Sequence, residues 1–147
     1  MNILIIDGQG GGVGRQLVEK IKKAYPQVIV TGVGTNTVAT QAMLKAGADR
    51  TATGENAVIV GCRTADIIIG PIGIAIADSL WGEITPKMAL AVGQSTANRI
   101  LLPMNLCSNY IAGVEKISTA QIIDDCIGKI REIMEKLDCT TNSCMLK

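Results

Sequence analysis

The chain has 147 residues, 48% of them apolar, a net charge of +1 and no histidine. That length suits a single domain with a sizeable core. The near-zero charge, with Tyr25, Trp81 and Tyr110 as the whole aromatic complement, argues against nucleic-acid partners, which are met by clustered basic residues and stacking rings. The missing histidine excludes Ser-His-Asp and Cys-His catalysis and His-ligated metals, so no metal site is expected and any proton transfer falls to Asp, Glu, Lys, Tyr or Cys.

Residues 2–7 read as a first strand, the apolar run Ile3-Leu4-Ile5-Ile6 ending on Asp7. A glycine-rich turn follows, and then a helix over 13–24 with Val13, Leu17, Ile21 and Ala24 at helical spacing. Val28 to Val33 is a second strand, Gly34-Thr35-Asn36 a turn, and 37–46 a helix closed by Gly47. Ala48 to Thr53 leaves room for a very short third strand. Gly54-Glu55-Asn56 opens a helix to about Arg63, and Asp66 to Gly70 is another buried strand, broken by Pro71-Ile72-Gly73. Residues 74–80 are expected to be helical, and Thr85 to cap a helix starting at Pro86. Ile100 to Pro103 and Tyr110 to Val114 are the last two strands, and the short loop between them predicts an antiparallel pair. Ser118 caps a long amphipathic helix to Leu137. Residues 1–138 are expected to form one Rossmann-like domain, and residues 139–147 a polar C-terminal tail.

Alternating strands and helices, with continuous apolar strands, predict an α/β fold. It is a three-layer, doubly wound, Rossmann-like arrangement with a mostly parallel sheet of about five or six strands, the last antiparallel. The binding crevice of such a sheet lies beyond the carboxyl ends of its strands. Asp7 to Gly14, Gly34 to Asn36, Gly54 to Asn56, Gly70 to Gly73 and Asn105 to Asn109 all fall there.

The strongest motif is Gly8-Gln9-Gly10-Gly11-Gly12-Val13-Gly14, between strand and helix. Glycines allow a sharp turn and close approach, and a helix N-terminus offers N–H groups to an anion. The strict G-x-G-x-x-G spacing fails, because Val13 stands three residues after Gly10. G-x-x-x-G-x-G fits at Gly8, Gly12 and Gly14, as in short-chain dehydrogenases, but neither Tyr25 nor Tyr110 has a lysine four residues on. A Walker pattern is absent too. The expected ligand is a nucleotide, dinucleotide or other phosphate-bearing small molecule. The bland alternative is a tight turn that only packs helix on strand.

Other residues join this site. Thr35 and Asn36 could hydrogen-bond a ribose, although capping suits Asn36 better. No acid ends the second strand, which disfavours NAD. Gly70, Pro71, Ile72 and Gly73 should approach a ligand through their backbone, and Arg15 could reach a phosphate oxygen. Asp7, Glu55 and Glu83 are the weak acid–base candidates. Fixing the loop through backbone N–H groups is the better reading for Asp7, and favourable helix-dipole placement competes for Glu55.

The five cysteines, Cys62, Cys107, Cys126, Cys139 and Cys144, form no C-x-x-C pair and read as reduced thiols. The longest apolar stretch, 67–77, is interrupted by Gly70, Pro71 and Gly73 and is too short to span a membrane. Asp7 comes too early for a signal peptide, so a cytoplasmic setting is expected. The apolar content predicts a homo-oligomer, a dimer, using the region from Ile72 through Trp81 to Val92, with the long helix as the other candidate surface.

Three blocks carry a further resemblance: Asn2 to Gly14, the pair L-K-A-G-A-D and A-T-G-E-N-A, and G-P-I-G-I followed by G-E-I-T-P. Over roughly residues 1–115 the chain resembles a small bacterial family of uncharacterised Rossmann-like proteins, catalogued as a domain of unknown function. The resemblance implies the fold and a cytoplasmic setting and brings no activity or catalytic residue. Three functions stay open: a binding domain for a phosphate-bearing ligand, a small enzyme acting on one, and a non-catalytic structural or assembly module.

Overall fold

The computed structural model describes residues 1–104, 109–114 and 117–144, with side chains as far as residue 137. Five strands, β1 (Asn2–Asp7), β2 (Ile29–Gly34), β3 (Arg50–Thr53), β4 (Ile67–Pro71) and β5 (Asn98–Leu102), form one sheet in the order β3-β2-β1-β4-β5. Every ladder is parallel. Five helices, α1 (Gly12–Ala24), α2 (Thr37–Lys45), α3 (Glu55–Thr64), α4 (Pro86–Gln94) and α5 (Thr119–Cys144), connect and cover the strands. The order is that of a Rossmann-like fold, and the winding reverses between β1 and β4.

The central strands explain the layering. β1 and β4 are apolar at nearly every position because both of their faces are covered. Ile3, Ile5, Ile67 and Ile69 pack with Leu17, Val18 and Ile21 of α1, Met43 of α2 and Ile123, Cys126 and Ile130 of α5. Leu4, Ile6 and Ile68 point the other way, onto Val58 and Cys62 of α3 and Met88 and Val92 of α4. The period of two along each strand thus divides the core into two layers.

Two expectations are corrected. Residues 110–114 are not a strand: Val114 N–H bonds back to the Ile111 carbonyl at 3.4 Å and Gly113 has φ 79°, a locally closed turn that leaves no ladder to extend. Among the described residues no antiparallel strand therefore ends the sheet. Nor are residues 74–80 a helix. A single 3-10 turn, Ile72–Ala75, gives way to a loop in which Asp78, Leu80 and Trp81 have φ of 63°, 54° and 58°, values no right-handed helix accepts. α5 also runs beyond Leu137, to Cys144, into the expected tail.

The surface proposed for dimerisation shrinks on folding. Ile74, Leu80, Met88 and Val92 all enter the core, leaving Leu90 and Trp81 exposed.

Candidate functional site

The winding reversal places the ends of β1 and β4 side by side, and the residues expected to act together meet at the end of β1. Asp7 is 2% exposed. Its Oδ1 accepts the Gly8 N–H at 2.8 Å, and its Oδ2 accepts the Gly14 N–H at 2.6 Å. Gly14 lies in the first turn of α1, where amides lack an intrahelical acceptor. Asp7 therefore caps the helix from the strand and clamps both ends of the glycine loop. Burial pushes its carboxyl above the ordinary value; the Gly14 and Gly8 N–H groups pull against that, and the nearby Glu83 charge adds to the rise.

The glycines divide by what surrounds them. A Cβ on Gly8 would lie 2.8 Å from Glu83 Oε2 and 2.8 Å from Thr35 Oγ1. Gly11 has φ 69°, and a Cβ there would stand 2.6 Å from Ala39 Cα, so the start of α1 abuts α2 backbone. Gly10 and Gly12 have open space and are exposed. Among the described residues no acceptor engages the N–H groups of Gly12 and Val13, which open α1.

Glu83 belongs to the loop between β4 and α4, yet its carboxylate sits on the glycine loop. It accepts the Gln9 N–H at 3.0 Å, the Asn36 amide at 3.0 Å and the Thr35 hydroxyl. Burial alone would raise the Glu83 carboxyl, but the Thr35, Gln9 and Asn36 bonds outweigh it and hold the group below its ordinary value. Asn36 does two jobs. Its Oδ1 caps α2 by accepting the Ala39 N–H at 2.9 Å, while its Nδ2 also donates to the Gln9 carbonyl at 2.9 Å. Three donors from two loops thus converge on one anion.

The remaining candidates lie elsewhere or are packed. Beside Gly70 the space is filled by the Ile6 carbonyl and the Ile74 side chain, and beside Gly73 by Ser79. Pro71 is buried and Ile72 half-buried. Their backbone is held by protein atoms of the same chain. Glu55 opens α3 and lies 3.8 Å from Lys87 of α4, with no contact to Asp7 or Glu83. Arg15 is exposed, 3.6 Å from Glu19, and with Thr37, Gln41 and Lys45 lines a groove of about 470 Å³ between α1 and α2.

Cys62 and Cys126 are buried, and burial pushes their thiols up to about 11 and about 12. Cys107 and Asn105 lie outside the described residues, as do the side chains of Cys139 and Cys144.

Sequence reasoning named Glu83 but read residues 74–80 as a helix, and so missed the loop from Ile76 to Thr85 that carries it to the site. Its inner side carries Leu80 and Ile84, both buried, and Glu83; its outer side carries Asp78 and Trp81. The available signals were Gly82, with φ 82°, and Asp78, a residue type that tolerates the left-handed region.

Among the described residues no helix is long and apolar enough to cross a membrane. Among curated proteins no relative is found. A solved structure that is similar is the crystal structure of a dodecameric FMN-dependent UbiX-like decarboxylase from Escherichia coli O157:H7. It is 17% identical, with a TM-score of 0.47, over 90% of this chain and 76% of that one. A family model matches residues 2–135, nearly the whole of the Rossmann-like unit described above, and the chain therefore belongs to the family described as "Domain of unknown function (DUF3842)".

Proposed function

We propose that the crevice at the end of β1 binds a phosphate-bearing small ligand, a nucleotide or sugar phosphate, whose phosphate takes the place of the Glu83 carboxylate. One observation carries this reading: the Gln9 N–H, the Thr35 hydroxyl and the Asn36 amide already converge on an anion. Donors that hold a carboxylate suit a phosphate oxygen equally. The location supports it too, since the winding reverses beside β1, where open α/β sheets take their ligands. The N–H groups of Gly12 and Val13, which no acceptor engages among the described residues, add the field of a helix N-terminus. Arg15 and Lys45 supply positive charge on the outer side of that terminus.

No reaction is assigned. Both Asp7 oxygens serve backbone N–H groups, so it holds the loop rather than a substrate proton. Glu55 pairs with Lys87 and supplies none of the cradle's hydrogen bonds. The homodimer remains part of this proposal, with Val60 of α3 and Leu90 of α4 as its exposed apolar residues and light scattering as its check.

Thermal shift and calorimetry against inorganic phosphate, sugar phosphates, nucleotides and dinucleotides test the binding. A ligand at 100 times its dissociation constant stabilises the fold by about 2.7 kcal/mol. No stabilisation by any phosphate compound would make Glu83 a permanent filling of the crevice and the chain a structural module.

A further inference from the structure

Within residues 78–84 the loop from Ile76 to Thr85 closes on itself through four backbone bonds. Asp78 N–H bonds to Ile84 O at 2.8 Å, Ile84 N–H to Ser79 O at 3.2 Å, Gly82 N–H to Asp78 O at 3.2 Å and Glu83 N–H to Leu80 O at 3.3 Å. Asp78, Leu80, Trp81 and Gly82 all have positive φ. For a bulky residue such as Trp81 that conformation is a genuine outlier, and strain of this kind gathers at ligand clamps. Here it keeps the Trp81 indole in water, 96% exposed, while its neighbour Leu80 is 1% exposed. The indole borders a pocket of about 410 Å³, shared with Ile76, Asp78 and Asn109.

We propose that this pocket is a subsite for a planar heteroaromatic ring bearing N–H donors, of the guanine type, stacked on Trp81 with its donors on the Asp78 carboxylate. The inference rests, for the other end of the ligand, on the phosphate reading above. Three features select the ring. An indole face held in water gains from stacking on a flat ring. An ionised carboxylate only accepts, so it selects ring N–H and amino donors. Asp78 also repels phosphate, so the phosphate must sit at the donors of Glu83. Trp81 and Glu83 are two residues apart, so their Cα atoms are separated by at most about 7.6 Å, but they face opposite sides of the loop, and a ligand that joins the two sites has to pass round its rim.

Trp81 is the only tryptophan of the chain, so its fluorescence reports on this pocket alone. The test titrates the full chain with guanosine 5′-monophosphate, ribose 5-phosphate and guanosine, by fluorescence and calorimetry. The nucleotide is expected to bind at least about tenfold tighter than ribose 5-phosphate and to quench Trp81. Trp81→Gly suits the left-handed backbone, and Asp78→Asn keeps its shape; both are expected to lose most of that advantage and to leave ribose 5-phosphate binding unchanged. Equal affinity for nucleotide and ribose 5-phosphate overturns the subsite while the phosphate cradle stands. Guanosine quenching Trp81 without any phosphate compound binding better upholds the subsite and removes the cradle. A Trp81→Gly chain that keeps its nucleotide affinity but falls from dimer to monomer in light scattering gives the indole to a second copy and overturns the proposal.

Discussion

Glu83 accepts the backbone N–H of Gln9 at 3.0 Å across 74 residues of chain, joining the loop after β4 to the glycine loop after β1. The contact closes the crevice with the chain's own carboxylate. Any anion entering must compete with it, and that competition is measurable.

Replacing Glu83 by alanine removes the competitor. Glu83→Ala is expected to lower stability by about 2 kcal/mol, the scale of hydrogen bonds to a charged acceptor. It is also expected to raise the affinity for inorganic phosphate about tenfold. Urea unfolding and calorimetry read the two effects. A variant that loses stability without any gain in phosphate affinity would falsify the exchange of carboxylate for phosphate.

The same contact sets a pH dependence. The folded Glu83 carboxyl lies below its ordinary value, so at acid pH the unfolded chain binds more protons there. Its contribution is therefore full above 4.5, the ordinary value, and is lost as pH falls through the folded one. Asp7, with a raised carboxyl, acts in the opposite sense: it favours the fold below 3.8, its ordinary value, and this is lost as pH rises through the folded value. Comparison with Glu83→Gln isolates the first effect. The stability advantage of the parent over that variant is expected to narrow as pH drops below 4.5. A constant gap in urea midpoint across that range contradicts the assignment.

Gly8 and Gly12, four apart in the motif, separate packing from open surface. Gly8→Ala places a methyl group 2.8 Å from Glu83 Oε2 and Thr35 Oγ1 and is expected to cost about 1–3 kcal/mol by displacing Glu83. Gly11→Ala meets α2 backbone and an unfavourable φ, and should cost at least as much. Gly12→Ala meets nothing within 4 Å and should unfold at the parent's midpoint within about 0.5 kcal/mol. Equal losses at Gly8 and Gly12 would sink this division.

Asp7→Asn keeps one acceptor but turns an NH2 group toward either Gly8 or Gly14. One buried N–H loses its partner, and a loss of about 2–3 kcal/mol follows. Amide exchange at Gly14 should speed up markedly relative to Val18, deeper in α1. Unchanged protection of Gly14 would show that the cap does not depend on the carboxylate.

Much of the architecture could be read from Ile3 to Ile6 and Ile67 to Ile69, since strands covered on both faces must be apolar throughout. The helix starts at Asn36 and Thr85 were equally plain, because their side chains accept from Ala39 and Met88 in local caps. The failures came where geometry is not local. Residues 74–80 have helical composition, but hydrogen bonds between Asp78, Ser79 and Ile84 fold them into a left-handed loop. Tyr110 to Val114 has strand-like apolar residues, yet Gly113 closes a turn. The meeting of Glu83 with Thr35 and Asn36 is a long-range contact that spacing does not encode. An acid does reach the end of β2, from a loop nearly fifty residues away in the chain.

The apolar purity of the two central strands has a cost before folding is complete. Ile3 to Ile6 and Ile67 to Ile69 are short, uncharged segments dominated by β-branched isoleucine, and in an open chain such segments pair with copies of themselves. Each is bounded by one carboxylate, Asp7 after the first and Asp66 before the second. In the finished fold Asp7 ties Gly8 and Gly14, while Asp66 accepts the Asn2 N–H at 2.6 Å. In the nascent chain the same two side chains are charged interruptions that keep neighbouring molecules from stacking on these segments. The residues that brace the sheet once formed thus guard it from aggregation while it forms.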